Sequence, residues 1–123
     1  MKCRGIRGAT TVDSNTREAL AAATRELLGK IVEANDIRQE DVAFMFFTTT
    51  QDLDAAFPAA TAREMGFTEV ALECCNEMKV PGSLPQCLRI TVLVNTEKRP
   101  EELEHVYIHG AETLRTWNRP SRK

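Results

Sequence analysis

The chain has 123 residues, of which 42% are hydrophobic and 28% charged, so it is long enough for one hydrophobic core but short for two domains. Sixteen basic residues against eighteen acidic ones give a net charge of -2, which argues against a general binder of nucleic acid or membrane surfaces. No apolar run approaches the roughly 20 residues that span a bilayer, and the N-terminus lacks the apolar region of a signal peptide. We therefore expect a single-domain cytoplasmic protein with no membrane partner.

The first predicted element is a strand from about Lys2 to Val12, which carries two arginines among small residues. Alternation places Arg7 on one face with Gly5 and Ala9, whereas Arg4 points to the other face and is predicted to be structural. A guanidinium offers a planar fork of donors suited to carboxylates, so Arg7 beside small neighbours is a candidate anion contact. A solvent-facing edge strand is the alternative interpretation.

A helix is expected next, because Asn15 and Glu18 stand at the spacing of a capping box. Its predicted end lies near Asn35-Asp36, after an apolar stripe at helical spacing that comprises Leu20, Ala23, Leu27, Ile31 and Ala34. The segment from Val42 to Thr50 is apolar on both faces over its first six residues. That pattern predicts an inner strand covered on both sides.

A short helix from Pro58 to Met65 is predicted to end at Gly66, and a strand from Glu69 to Cys75 follows. After a loop at Pro81-Gly82, Cys87 to Thr96 alternates so clearly that Arg89 must project away from the apolar side. These elements predict an α/β (α+β) fold, in which helices pack on a mixed sheet of about five strands.

The last predicted strand, His105 to His109, points Val106 and Ile108 to the core and Tyr107 the other way. His105 and His109 would share one face of it, but two histidines alone are weak support for a metal, and we predict none. The tail from about residue 114 to 123 lacks apolar periodicity, and we expect it to be mobile.

Four cysteines could suggest disulfides or a zinc site, but two of them are vicinal and none stands at finger-like spacing from a histidine. In a cytoplasmic chain, reduced, small and buried residues are the expectation for Cys3, Cys74, Cys75 and Cys87.

The polar residues that these predictions place on the less apolar faces are Arg7, Arg63, Glu77, Arg89 and Tyr107. Three guanidiniums, a phenol and a carboxylate suit a small ligand with two carboxylates and a hydroxyl group. Each residue alone has an ordinary explanation, such as a solvated helix position or a half-buried aromatic ring.

Five pieces of sequence, in order along nearly the whole chain, resemble the monofunctional AroH-type chorismate mutases. The pieces are RGIRGATTV at the N-terminus, Phe57-Pro58 with Arg63-Glu64, Cys74 with Glu77-Met78, Gly82 to Leu84 with Cys87-Leu88-Arg89, and His105-Val106-Tyr107. The resemblance implies conversion of chorismate to prephenate on the route to phenylalanine and tyrosine. It also implies a homotrimer shaped like a pseudo-α/β-barrel with active sites at its subunit interfaces. A unimolecular rearrangement needs no cofactor, metal, nucleophile or proton shuttle.

By resemblance, the catalytic residues would be Arg89, Glu77 and Arg7. Arg89 would stabilise negative charge that grows on the ether oxygen as its bond breaks. Arg7 and Tyr107 would hold a substrate carboxylate, and Glu77 with Cys74 would contact the ring hydroxyl. The remaining substrate contacts would be the apolar walls Phe57, Leu72 and Leu114 and the charged residues Arg63, Glu73 and Arg115.

The chain departs from the family pattern at several of these places. Ala60 stands where a lysine is common and Glu73 where a small hydroxyl residue is common, so we expect modest affinity for an anionic substrate. Thr116 replaces a proline, which weakens the case for Arg115. Two other functions stay open: a small trimeric enzyme of the imine deaminase type, and a non-catalytic module that binds an anionic metabolite.

Overall fold

The computed structural model describes residues 1–114, which form a five-stranded mixed sheet and two α-helices. The strands are β1 (Lys2–Thr11), β2 (Val42–Thr49), β3 (Ala71–Asn76), β4 (Cys87–Thr96) and β5 (Val106–Tyr107), and the helices are α1 (Arg17–Asn35) and α2 (Pro58–Glu64). The predicted fold class is confirmed. Apart from Leu114, the predicted mobile tail lies outside the described residues.

The strand order is β3-β2-β4-β1-β5, so β4 is the centre of the sheet. The pairs β1–β4 and β2–β4 are antiparallel, whereas β2–β3 and β1–β5 are parallel. Helix α2 lies in the connection between the parallel strands β2 and β3, as a parallel pair requires. None of the helices within residues 1–114 is long and apolar enough to cross a membrane.

The core lies between α1 and one face of the sheet. Four apolar residues of α1 are fully or almost fully buried there, and they pack with strand residues such as Ile6, Met45, Phe47, Ile90 and Val92. Burying each large apolar side chain contributes roughly 1.5–3 kcal/mol. Gly8 is required at this contact, because a Cβ on it would lie 2.8 Å from Ile31 Cδ1 and 2.8 Å from the carbonyl oxygen of Val106. The lack of a side chain at Gly8 therefore makes room for α1 and β5, not for a ligand.

The start of α1 differs from the predicted capping box by one residue. Thr16 is the N-cap, and its side-chain oxygen accepts a hydrogen bond from the backbone N–H of Ala19 at 3.1 Å. The side chain of Asn15 instead binds the loop after β2, where it donates to Asp54 Oδ1 at 2.7 Å and accepts from the Asp54 N–H at 2.9 Å. The predicted box of Asn15 with Glu18 is wrong because this tertiary contact takes the Asn15 side chain.

The end of α1 is tied to the segment that leads into β5. Asp36 adopts left-handed backbone angles and ends the helix as predicted, but the predicted stripe member Ala34 is exposed. The buried residue of the last turn is Asn35, whose amide donates to the carbonyl of Ile31 and to that of Glu104, both at 2.9 Å. The side-chain oxygen Oδ1 of Asn35 accepts from the Glu104 N–H at 2.8 Å.

Strand β2 lies inside the sheet as predicted, but within one chain only one of its two sides is fully covered. Met45, Phe47 and Thr49 are buried on the helix side, whereas Phe44 and Phe46 on the opposite side are only half-buried. Their rings stack with centroids 6.1 Å apart. The reason is that both helices pack on the same face, and within residues 1–114 the part of the opposite face that carries Phe44 and Phe46 is only partly covered.

Candidate active site

The sheet face opposite the two helices, called the outer face from here on, brings together predicted site residues from distant parts of the chain. The register places one residue from each of four neighbouring strands in a single row: Thr48, Arg89, Ala9 and Tyr107. Glu77 reaches this row from the loop that follows β3. Ala9 lies between Arg89 and Tyr107 in the row and is fully buried, packed with Cys87, Tyr107 and Ala111.

Arg89 and Glu77 form an ion pair at the centre of the outer face. Arg89 Nε lies 3.1 Å from Glu77 Oε2, and the two side chains are 35% and 25% exposed. The nitrogen is buried, but the pair lacks the alignment of a hydrogen bond, so the contact is chiefly electrostatic. A partly buried carboxylate at this distance holds the guanidinium in one position on the rigid central strand.

Glu77 is itself held by the last two residues of β2. Its backbone N–H donates to the carbonyl of Thr49 at 2.8 Å, which extends the β2–β3 ladder by one step. Its carboxylate oxygen Oε2 accepts a hydrogen bond from the hydroxyl of Thr48. Thr48 is not among the site residues predicted from the sequence. Its position in the strand alternation could have pointed to it, because Thr48 carries a hydroxyl on the same face as Phe44 and Phe46.

Arg7 lies on the outer face, one alternate position from Ala9, and its side chain is exposed. Within residues 1–114 its guanidinium makes no ion pair, so the charge is available to a ligand. Its backbone N–H donates to His105 Nδ1 at 3.0 Å. Arg4, in contrast, is half-buried and donates from Nε to the carbonyl of Lys98 at 3.3 Å, which supports the predicted structural role.

Tyr107 is 9% exposed and belongs to a small second apolar cluster on the outer face. Its buried partners are Ala9, Cys87 and Ala111, and Leu84 and Leu114 pack against them. Leu114 is thus near Tyr107. Burial raises the pKa of the Cys87 thiol, and the nearby Arg89 charge opposes that rise only in part.

A second group of predicted site residues lies on the helix side. Phe57 precedes α2 and is 74% exposed, and it lines a cleft of about 650 Å³ together with Cys74. Arg63 in the last turn of α2 is exposed, and its charge acts on the Cys74 thiol. Leu72 packs half-buried against the main core. Burial raises the pKa of Cys74, and a backbone hydrogen bond from Ala59 opposes it, so the thiol is protonated at neutral pH.

Within one chain, Cys74 does not share a face of the sheet with Glu77 and Arg89. Side chains alternate along β3, so Cys74 opposite Phe47 points to the helices. The outer-face position beside Thr48 belongs to Cys75. The predicted residues therefore form two separate sets in one chain. Arg7, Glu77, Arg89, Tyr107 and Leu114 belong to the outer face, and Phe57, Arg63, Leu72 and Cys74 belong to the helix side.

The remaining predicted contacts are Glu73 and Arg115. Glu73 is exposed, and its carboxylate lies 3.7 Å from the exposed thiol of Cys75. Desolvation and the nearby Glu73 carboxylate raise the pKa of Cys75. Glu73 and Cys75 alternate with Cys74 along β3 and so belong to the outer face, although Cys75 also lines the helix-side cleft. Arg115 lies outside the described residues.

Two expectations about ligating side chains need correction. His105 and His109 do not share a strand face, because β5 ends at Tyr107 and His109 has a left-handed φ of 53° at the start of a 3₁₀ turn. His109 Nε2 lies 3.0 Å from Glu26 Oε1 on α1. All four cysteines are free, as predicted, but only Cys87 is buried, and Cys3 and Cys75 are exposed at strand positions on an open face.

The sequence comparison decides the family. Residues 3–117 match the family described as chorismate mutase type I. The chain belongs to that family. It is 49% identical to chorismate mutase AroH of Thermus thermophilus over 113 residues, which cover 91% of this chain and 93% of that protein. It is 42% identical to chorismate mutase AroH of Bacillus subtilis over 116 residues, which cover 94% and 91% of the two chains.

The structural comparison agrees with membership in the type I chorismate mutase family. A solved chorismate mutase from Clostridium thermocellum superposes with a TM-score of 0.88 at 48% sequence identity. The match covers 89% of this chain and 98% of that one. The mixed sheet with both helices on one face is therefore the fold of this family, and the imine deaminase type is no longer needed to explain the arrangement.

Proposed function

We propose that the chain is a chorismate mutase, an isomerase that converts chorismate to prephenate in phenylalanine and tyrosine biosynthesis. Its two relatives above are both chorismate mutases by name and match nearly its whole length. The observation that carries the proposal is the guanidinium of Arg89, which Glu77 holds on the outer face beside Ala9 and Tyr107. A fixed cation in a row with a small residue and a phenol suits a compact anionic substrate.

The reaction is a [3,3] rearrangement, in which one carbon–oxygen bond breaks and one carbon–carbon bond forms within a single molecule. No atom enters or leaves, so no covalent intermediate with the protein forms. As the ether bond lengthens ahead of carbon–carbon bonding, negative charge grows on the ether oxygen, and Arg89 stabilises it more than it stabilises the ground state. One preorganised donor to such an oxygen contributes roughly 3–4 kcal/mol, or about 100- to 1000-fold in rate.

The other charged residues hold the substrate in a reactive conformer. The exposed guanidinium of Arg7 and the phenol of Tyr107 hold a carboxylate, because both reach the outer face from adjoining strands. Glu77 binds the ring hydroxyl with the carboxylate that also anchors Arg89. Holding the enolpyruvyl arm over the ring supplies the positioning part of catalysis.

The helix-side set completes the site from another subunit of a homotrimer. Phe57, Arg63, Leu72 and Cys74 cannot meet Arg89 within one chain, whereas a neighbouring chain could present them to its outer face. Two features support an interface. The aromatic side chains of Phe44 and Phe46 on the outer face are only half-buried, and Phe57 is exposed to 74%. Aromatic side chains that stay partly or largely open to solvent suit a contact with another chain.

We also place the enzyme in the cytoplasm. All four thiols are free, and two of them are exposed, which suits a reducing compartment. Fractionation of cells that make the protein tests this proposal, since recovery from an oxidising compartment would contradict it.

Turnover is tested by mixing the purified protein with chorismate and following the loss of chorismate absorbance in the ultraviolet. The product is then converted with acid to phenylpyruvate and identified. Absence of turnover at micromolar protein would refute the enzyme and leave the metabolite-binding module. The assembly is tested by light scattering, where we expect about three times the 13.8 kDa mass of the monomer. A monomer mass would rule out shared sites.

A further inference from the structure

Thr48 is a polar residue beside the Arg89–Glu77 ion pair, and the reaction described above gives Thr48 no role. Its hydroxyl donates to Oε2 of Glu77, the same oxygen that lies 3.1 Å from Arg89 Nε. The register makes it the direct neighbour of Arg89 on one side and of Cys75 on the other. One carboxylate oxygen thus receives both the hydroxyl of β2 and the guanidinium of β4.

The ion pair alone does not define how the carboxylate is turned. A carboxylate rotates easily about its last bond, and Arg89 Nε is not aligned for a hydrogen bond to it. The side chain of Thr48 is stiff, because threonine is β-branched and its strand is paired on both sides. The hydroxyl therefore supplies the directional contact that the ion pair lacks.

We propose that Thr48 is a positioning residue for the rearrangement: its hydroxyl orients Glu77, and Glu77 in turn orients Arg89 toward the reacting ether oxygen. This inference rests on the proposed chorismate mutase activity. Thr48 touches no substrate in this scheme. It acts with Thr49, whose carbonyl fixes the Glu77 backbone at 2.8 Å, so the end of β2 holds both the main chain and the side chain of the acid.

The test compares Thr48→Val, which keeps the shape and removes the hydroxyl, with Thr48→Ser, which keeps the hydroxyl. A hydrogen bond to a charged group is typically worth about 10- to 100-fold. We expect Thr48→Val to lower kcat by roughly tenfold or more with KM changed less than about threefold, and Thr48→Ser to retain most of the wild-type kcat. Thr10→Val is the matched control, because Thr10 is a buried strand threonine whose hydroxyl, in the part of the chain that the structure describes, donates to the backbone carbonyl of Thr11.

A double-mutant cycle separates positioning from general damage. In a Glu77→Ala background, Thr48→Val should change kcat by less than about twofold, because the hydroxyl has lost the group through which it acts. Light scattering on each variant checks that assembly is unchanged, since Thr48 lies on the proposed interface. An unchanged kcat in Thr48→Val, a Thr48→Ser variant as slow as Thr48→Val, or an equal loss in the Glu77→Ala background would each overturn the proposal.

A spectroscopic readout keeps the two proposals distinguishable. The Nε–H signal of Arg89, identified by its loss in Arg89→Lys, should move in Thr48→Val and stay in place in Thr10→Val. If the wild-type protein shows no turnover, the chorismate mutase proposal fails, and with it the catalytic part of this inference. The position of the signal then still reports on the orientation of Arg89. A signal that does not move in Thr48→Val refutes the proposed effect of Thr48 on Arg89, whatever the reaction.

Discussion

Among the predicted cations within residues 1–114, Arg89 is the one that a carboxylate holds on the outer face, and replacing it with alanine removes this charge. At 3.1 Å the attraction between Arg89 and Glu77 lies between about 1 kcal/mol at the dielectric constant of water and about 5 kcal/mol at an effective value near 20. Both side chains are partly exposed, so the lower part of that range applies. We therefore expect a small loss of stability, and a loss of kcat of roughly 100- to 1000-fold from the missing oxyanion contact.

The assay is chorismate consumption under steady-state conditions, with the dissociation constant for substrate measured separately by calorimetry. Substrate should still bind to Arg89→Ala, because Arg7 and Tyr107 remain. The kcat of Arg89→Lys should fall between those of the wild type and Arg89→Ala, since lysine keeps the charge but lacks the planar fork and its Nε. Arg4→Ala is the matched control, because Arg4 binds the carbonyl of Lys98 away from the outer-face row. A kcat for Arg89→Ala within tenfold of the wild type would refute this account of the mechanism.

Three further outcomes are expected. Phe46→Glu places a charge on the apolar outer face and should give a monomer of 13.8 kDa without turnover, and a trimer mass by light scattering would contradict the interface. Gly8→Ala should lower the free energy of unfolding in urea by about 1–3 kcal/mol, because its Cβ would lie 2.8 Å from an α1 side chain. Gly29→Ala, where a Cβ meets nothing within 4 Å, should stabilise by up to about 1 kcal/mol, and equal effects would refute the packing argument. Burial raises the pKa of Cys87, so less of its thiol is ionised at pH 8 than in the unfolded chain. Iodoacetamide should therefore label Cys87 far more slowly in the native protein than in urea, and the native labelling rate should still rise above pH 9. Equal labelling rates in the two states, measured by mass spectrometry, would contradict this.

Strand β4 shows what the sequence predicts well. Its apolar residues alternate without a break from Leu88 to Val94, so both its bounds and the outward direction of Arg89 follow from the period of two. The capping box failed for a different reason. Asn15 and Thr16 are both good N-cap residues, and only the folded loop at Asp54 decides which side chain caps the helix.

The sequence supplies candidate residues for the site but not how one chain arranges them. Resemblance named Cys74 and Glu77 as partners, yet alternation along β3 sends Cys74 to the helix side. In the proposed trimer these residues meet only between chains, and such a contact leaves no pattern in the sequence of one chain. Thr48 was missed because a threonine at the end of an apolar strand is typical of a strand terminus, and its function depends on Glu77, 29 residues later.

The side chain of Asn35 has a consequence for the active site that distance along the chain conceals. Strand β5 contributes only two ladder partners to β1, at Gly8 and Ala9, which is little to keep Tyr107 in place. The amide of Asn35 adds a donor and an acceptor to Glu104 and so behaves as an extra strand neighbour for this segment. Hydrogen exchange of the Tyr107 region should therefore be governed by the last turn of a helix about 70 residues upstream, and any attempt to shorten or transplant that helix would loosen the phenol of the site.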